Sequence, residues 1–496
     1  MSWLLSPTLE SLFSRSSSSS SSSVPTLLSP ERSRSVESEG DAPLTPFERE
    51  YGVPDLPGGW PGFDLKVKDL TAKSLMDTAN GVEVGEVDEV DAQERSSDPQ
   101  RESLRDRDIR VTRLVIHPIK SCRGISVRSS ILTPQGLQYD RQWAIRNRAT
   151  GQLVTAREQP RMVLIRCSID EKSNELRVSF PVDSGLEGFV VGLRTELEEM
   201  GSWERIPSSI MHGHTLPPAF LPPALHSPAV SPSEQISRFL GIDVQLVQVS
   251  PFKSDERVCD PPPGEGEKAE WEEQAQVNRG KNEVVTGFAD GYPLLIANEA
   301  SYRAVTASIR DSASDDPPSG LSNLGPTFDK ARWRERSFDY HRFRANIIVG
   351  SGQDLPLEMQ DSPAENKNTP TEPKSSKGNA PPSAWEEDTW RKLEFSSSSG
   401  SSARKGTLIC TSRCGRCQLP NVCPDTAEPD KVVPFKVISK YRRVDPAQKY
   451  TPIFGVNAMS GDRSGSLEIH VGDWVRVVTR NSWGSLPVSS GYKRGA

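Results

Sequence analysis

Apolar residues in this chain gather in short runs that are too brief for helices and suited to strands, and that constrains the fold more than any other feature. VTRLVIHPIKS, QWAIRNRATGQLVTA, MVLIRCSI, DVQLVQVS, NIIVG, GTLIC and SLEIHVGDWVRVVT are rich in β-branched residues and separated by Gly, Asn or Pro turn signals, the last broken at Gly472-Asp473. Such residues pack well on a pleated, half-buried surface. Helical signals are fewer. SPSEQISRFLG offers Ser231 or Ser233 as a cap with Glu234 or Ile236 three residues on, an apolar face through Ile236, Phe239 and Leu240, and Gly241 as a stop; NEASYRAVTASIR offers Asn298. The expected fold is α+β, predominantly β, in two lobes at about 109–250 and 283–480.

The remaining stretches lack the apolar content to offset the entropy of ordering. Residues 1–108, with an unbroken serine run from Ser16 to Ser23, are expected to form a disordered tail, and 354–383 and 396–406 to be disordered insertions. Residues 183–232 read as an irregular insertion. Its Pro-rich part carries His212, His214 and His226, and without a periodic element to hold ligands the HGH triplet reads as a solvated loop. The net charge of −7 gives no bulk reason to bind nucleic acid or anionic lipid. No apolar run approaches the roughly 18 residues of a membrane-spanning helix, and MSWLLSPTLESLF lacks the character of a transit peptide. An odd count of seven cysteines without a secretory signal fits a reducing compartment, cytoplasmic or mitochondria-associated, with the cysteines as thiols or metal ligands.

Four of those cysteines, Cys410, Cys414, Cys417 and Cys423, fall within CTSRCGRCQLPNVC. The spacing C-x3-C-x2-C-x5-C holds enough sulfur for tetrahedral zinc, but such sites usually separate two close pairs so that two turns face one ion. An iron–sulfur cluster is open on the same terms. CGRC could be a redox dithiol, though no βαβ context precedes it. A bland alternative makes most of the four small packing residues. Spacing alone leaves all four readings standing.

Seven segments, in order, carry a resemblance: VIHPIKSCRG, YDRQWAI, GQLVTAREQPRMVLI, GFADGYPLLIANEAS, FRANIIV, CGRCQLPNVCPDTA and IFGVNA with SLEIHVGDWVRV. Together they resemble the MOSC-domain proteins, and more closely the branch containing the mitochondrial amidoxime-reducing component. The resemblance implies a MOSC N-terminal β-barrel-like lobe followed by a C-terminal MOSC β-barrel domain, with the molybdenum cofactor (Mo-molybdopterin) between them. It implies Cys417 as the protein's ligand to molybdenum, a soft thiolate suited to that metal, with Arg416 beside it favouring the deprotonated form. Cys414 becomes a neighbour rather than a ligand. Cys423 stands where relatives commonly have Asp, and Ala427 where they have Gly.

For the rest of the cofactor the resemblance implies Lys120, Ser121, Arg141 and Arg344 as contacts to its phosphate-bearing end. A planar guanidinium, an ammonium and a hydroxyl are the donors such an anion needs. It also implies a turn at Asp290 and Gly291, support of Arg344 by Asn346, and an N-terminal-lobe pattern at Thr155, Arg157 and Arg161, with Arg157 either supporting the site or structural. The implied activity is reduction of a small N-hydroxylated substrate, N–OH to N–H, with electrons from a cytochrome b5-type donor and its flavin reductase. Two alternatives stand beside it. One is cofactor binding or sulfur carriage without turnover, related to the MOSC part of molybdenum cofactor sulfurases but without their pyridoxal-phosphate domain. The other is a structural zinc-binding interaction protein, for which all four clustered cysteines would matter equally.

Overall fold

The computed structural model describes residues 108–226, 231–259, 285–356, 359, 381–397, 405–461 and 467–481. The expected disordered tail therefore lies outside the described residues save for Asp108, as do the interiors of the two expected insertions.

Most of the described residues are strand or turn. Numbered in chain order, the principal strands are β1 (Arg110–Ile116), β2 (Trp143–Asn147), β3 (Arg166–Asp170), β4 (Glu175–Ser179), β5 (Phe189–Gly192), β6 (Ser209–Met211), β7 (His214–Leu216), β8 (Val244–Val249), β9 (Leu294–Asn298), β10 (Ile347–Gly350), β11 (Trp390–Ser396), β12 (Lys405–Gly415), β13 (Ile453–Ser460) and β14 (Trp474–Arg480). Seven of them close a barrel in the order β10-β9-β13-β12-β11-β14-β1, with β1 pairing back onto β10. Closure leaves no barrel strand with an unpaired edge. All neighbours are antiparallel except β9 and β10, which run parallel through Ile296↔Ile347 and Asn298↔Val349. That parallel step needs a crossover, and helix α2 (Glu299–Ala313) lies in it, while helix α1 (Pro232–Leu240) belongs to the other lobe. β1 lies within the first expected lobe by sequence and within the barrel by hydrogen bonding.

Barrel strands covered on both faces read as near-continuous apolar runs, whereas β11 and β14 keep partly exposed residues. β9 and β10 are buried at every residue. Inside the barrel Leu114, Ile296, Ile347, Leu393, Leu408 and Val456 meet, and outside it Tyr302, Val305 and Ile309 of α2 pack with Trp333, Phe343 and Phe454. Phe343 and Phe454 stack with ring centroids 3.7 Å apart, which fixes the chain immediately before Arg344.

The first lobe pairs β2 with β8 and extends through Ala219–Phe220 to Arg205–Ile206, while β3, β4 and β5 form a separate sheet. Both expected caps form: the Ser231 side chain accepts from Glu234 N at 3.2 Å, and the Asn298 side chain from Ala300 N at 3.0 Å. Gly241 closes α1 in the left-handed conformation, where glycine has no Cβ to clash. Three boundaries differ from expectation. In MVLIRCSI, Met162 and Val163 belong to a 3-10 turn, Pro160–Leu164, and the strand starts at Arg166, because Pro160 favours a turn start and offers no N–H to a ladder. Ser396 ends β11 and Lys405-Gly406 open β12, paired Ser396↔Lys405, so both ends of the 396–406 stretch are strand. Within 183–232 the chain forms β5, β6 and β7 rather than running without regular structure.

Candidate functional site

Five chain segments converge, and each is held by backbone hydrogen bonds before any side chain is considered. Lys120 N donates to Trp143 O (2.8 Å), Arg141 N to His117 O (2.8 Å), Phe288 N to Arg141 O (2.8 Å), Asn346 N to Leu295 O (2.8 Å) and Arg416 N to Pro452 O (2.8 Å). Three of the residues so placed, Ser121, Arg141 and Arg344, have φ of 67°, 48° and 58°. A non-glycine residue in the left-handed region costs of order 1–3 kcal/mol and persists where its surroundings over-determine it, commonly at binding sites.

The converging segments enclose a cavity of about 100 Å³. Its wall carries nine of the twelve residues singled out from the sequence: Cys417 and Arg416 from the turn after β12, Lys120 and Ser121, Arg141, Asp290 and Gly291, and Arg344 with Asn346. Thr155, Arg157 and Arg161 do not line it. Arg161 lies over the Phe239 ring at 4.5 Å, which makes it a packing residue between the 3-10 turn and α1. Arg157 reaches toward the site only through His212, 3.3 Å from its Nδ1. A larger cavity, about 340 Å³, is lined by Gln135, Gln138, Tyr139, Gln142, Trp143, Gln248 and others, with neither a thiol nor a cation. Of the two, the smaller one brings thiols and cations together.

Charge within the small cavity is lopsided. Arg141 Nη1 donates to Asp140 Oδ2 (2.5 Å) and Asn346 Oδ1 (2.9 Å), and its Nη2 to Arg344 O (3.2 Å). Asn346 also accepts from Leu295 N (3.1 Å) and donates to Val115 O (3.2 Å), so it anchors Arg141 to the barrel directly. Arg344 Nη1 donates to Cys122 O at 2.7 Å. Burial, then the neighbouring Arg141 guanidinium, pull Arg344 down to about 10. Lys120 Nζ donates to Phe288 O (2.9 Å) and Asp290 Oδ1 (2.5 Å). Burial lowers Lys120 from its ordinary value despite the Asp290 partner. Partial desolvation raises the Asp290 carboxyl, but the Lys120 ammonium and the His212 ring outweigh it and hold it well below the usual range.

Two donors on this wall are left over. Arg344 Nη2 and Arg416 Nε are buried without a hydrogen-bond partner among the described residues. An unmet guanidinium N–H in a cluster of like charges is a place for an anion, since leaving it unpaired costs about 1–3 kcal/mol. The donor set therefore fits the phosphate-bearing end of a molybdenum cofactor. A Cβ on Gly291 would meet nothing within 4 Å, so the rim there is open.

The four clustered cysteines go different ways. Cys410 is fully buried within β12 in the barrel core, its thiol pushed up to about 12 by that burial. Cys414 and Cys417 both line the cavity. Cys417 is half-buried, with Leu419 N at 3.5 Å from its sulfur. Arg416, expected to favour a thiolate at Cys417, directs Nη1 to Cys414 Sγ (3.2 Å) and Nη2 to Phe343 O (2.7 Å). Cys423 is buried and takes Arg336 Nη2 at 3.0 Å. Among the described residues no three His, Cys, Asp or Glu side chains gather as a metal-ligand set.

Two residues at or behind this wall escaped sequence reasoning. Asp140, fully buried, accepts from His117 N (2.7 Å) and pairs with Arg141; its place beside Arg141 in YDRQW was the available signal. His212 stands in a stretch whose sequence suggests a solvated loop, yet its Nε2 lies 2.9 Å from Asp290 Oδ1. The His-Gly pair, flanked by Met211 and His214, is a two-residue hairpin signal.

Residues 108–212 match the family model of the MOSC N-terminal beta barrel domain. The chain is 25% identical to the mouse (Mus musculus) mitochondrial amidoxime-reducing component 1 over 366 residues, covering 70% of this chain and 76% of that protein, and 23% identical to the human (Homo sapiens) one, covering 70% and 77%. It is 27% identical to a molybdenum cofactor sulfurase of Aspergillus niger over 254 residues, half of this chain but 29% of that much longer protein. These relatives connect the chain, at family level, with the molybdenum cofactor. A MOSC N-terminal beta barrel domain matched over residues 108–212, a closed seven-stranded barrel that shares β1 with it, and relatives that align over half to 70% of the chain together support a MOSC-domain protein.

Proposed function

We propose that this protein holds a molybdenum cofactor in the cavity and reduces small N-hydroxylated substrates, N–OH to N–H, with electrons from an external donor of the cytochrome b5 type supplied by a flavin reductase. The observation that carries the reading is the pairing of one half-buried thiol, Cys417, with Lys120, Arg141 and the unmet Nη2 of Arg344 on a single cavity wall. A soft thiolate ligand and a cluster of anion donors are the two things such a cofactor asks of a protein. When bound, the cofactor would supply oxygen-atom and electron transfer.

The chain's own residues then have separate tasks. Cys417 is assigned as the protein's ligand to the metal. Arg344, Arg141 and Lys120 bind the anionic end, with Asn346 and Asp140 fixing the Arg141 fork so that no orientation is lost on binding. Ser121 adds a neutral donor, and Arg416 holds the turn through Phe343 O and Cys414. The open rim at Asp290 and Gly291 gives the substrate access.

The test is a reconstituted assay. Protein made in a cofactor-producing host, mixed with cytochrome b5, its reductase and NADH, should convert a model amidoxime to the amidine, and Cys417→Ala should abolish this. No conversion even with a chemical reductant would reject the oxidoreductase. A second reading, cofactor binding or sulfur carriage without turnover, draws on the presence of a second thiol, Cys414, on the cavity wall. It predicts cofactor retention without amidine.

A further inference from the structure

The hairpin β6–β7 brings an ionisable group to the cavity rim from a part of the chain outside the five converging segments. Its two-residue turn, His212-Gly213, has φ of 50° and 83°, the double left-handed geometry whose twist matches paired strands. Met211 and Leu216 are buried with Phe288, whose carbonyl accepts from Lys120 Nζ. Ile210 bonds to Gly151 O (2.9 Å) and Leu153 N (2.8 Å), so the hairpin is fixed at its base. At its tip His212 lies between Arg157 Nη2, 3.3 Å from Nδ1, and Asp290 Oδ1, 2.9 Å from Nε2.

Asp290 Oδ1 is thus the shared acceptor of Lys120 Nζ and His212 Nε2. One carboxylate cannot fully neutralise two cations, so the charge state of His212 decides how much of Asp290 remains for Lys120. We propose that His212 is a positioning residue: its protonation engages Asp290 and releases Lys120 to serve an anion in the cavity, which couples anion binding to pH. This rests on the reading that the cavity cations hold an anionic group. The groups facing the ring are Arg157 from the loop after Thr155, Asp290, and Lys120 behind it, with Arg257 bonded to Asp290 O (2.7 Å). While Nδ1 accepts from Arg157 the ring is neutral and gives Nε2–H to Asp290. Protonation adds an N–H at Nδ1, displaces the exposed Arg157 side chain and sets a full positive charge against Asp290. Histidine is the side chain that ordinarily makes this change between pH 5 and 8.

Sulfate is the probe, because its charge is constant over that range. Its dissociation constant would be measured by isothermal titration calorimetry between pH 5.5 and 8.0 on the full chain, made in a host that lacks the molybdenum cofactor. Binding should tighten by at least about fivefold toward pH 5.5, the lower end of typical coupling between sites, and Lys120→Met should remove most of it. His212→Asn keeps the turn, since Asn-Gly is the favoured dipeptide there, and should flatten the profile at the weak level. His212→Lys should flatten it at the tight level. A profile that His212→Asn leaves unchanged overturns the proposal while sparing the anion site. Sulfate that binds at no pH, or binds equally well in Lys120→Met, overturns both.

Discussion

The sulfur of Cys423 takes Arg336 Nη2 at 3.0 Å, and the turn after it closes through Ala427 N to Cys423 O (2.9 Å) and Cys423 N to Glu428 O (3.0 Å). Burial raises this thiol, but the Thr426 hydroxyl, the Arg342 guanidinium and the N–H groups of Asp425 and Thr426 outweigh it, so its value lies below that of an ordinary cysteine. An acceptor ringed by donors is the environment of a carboxylate, and the resemblance implied Asp at this position. Cys423→Ala should therefore cost about 1–3 kcal/mol by leaving those donors unmet, read as a lower urea midpoint, while Cys423→Asp should recover most of the loss. Equal losses for Ala and Asp would mean the thiol serves by packing. Ala427, in place of glycine, sits at φ 58°, so the turn forms without the residue that suits it best. Nothing in the spacing of the four cysteines distinguished these roles, since it carried no information on which sulfurs face the barrel core, the cavity or an arginine.

Among the elements, those built by local chemistry were the most legible. The serine cap of α1, its Gly241 stop, the Asn298 cap of α2 and the Gly472-Asp473 break before β14 all follow from side chains acting within a few residues. β10 was readable as a strand from NIIVG, while β9 was not singled out, and no local feature says that the two lie parallel and adjacent in one barrel, which depends on α2 covering the step between them. β1 shows the same limit: its 7 residues spell a strand, and no local feature says that it pairs with β10, more than 230 residues away in sequence. The hairpin β6–β7 was lost because each of its strands has 3 residues, too few for alternation to register. Its position depends on Met211 and Leu216 finding Phe288. The cavity residues were legible only through resemblance, because Lys120, Arg141, Asp290, Arg344 and Cys417 come from separate segments that the barrel alone assembles.

For the molecule as a whole, the buried charges beside α2 bear on stability. Glu387 is fully buried, accepts from Ser301 Oγ at 2.8 Å, and neighbours Asp388, which pairs with Arg442 at 2.6 Å. Burial and then the adjacent Asp388 charge push the Glu387 carboxyl up from an ordinary 4.5 to about 8. In that window the folded chain holds a proton that the unfolded chain has released, so stability falls as pH rises, by up to ~1.4 kcal/mol per pH unit from this group. Its contribution is complete below about pH 4.5 and lost as pH climbs through about 8. Urea unfolding at pH 6 and pH 8 should show this slope in the wild type, and Glu387→Gln should flatten it; a slope that survives the substitution assigns it elsewhere. The central claim concerns the cavity, where donors from both lobes meet Cys417. It is tested most directly by elemental analysis for molybdenum, zinc and iron on protein from a cofactor-producing host, comparing wild type with Cys417→Ser and Cys410→Ser. Molybdenum near one per chain, lost with Cys417 and kept with Cys410, is the expected result. Zinc lost with either substitution, and no molybdenum, would contradict it.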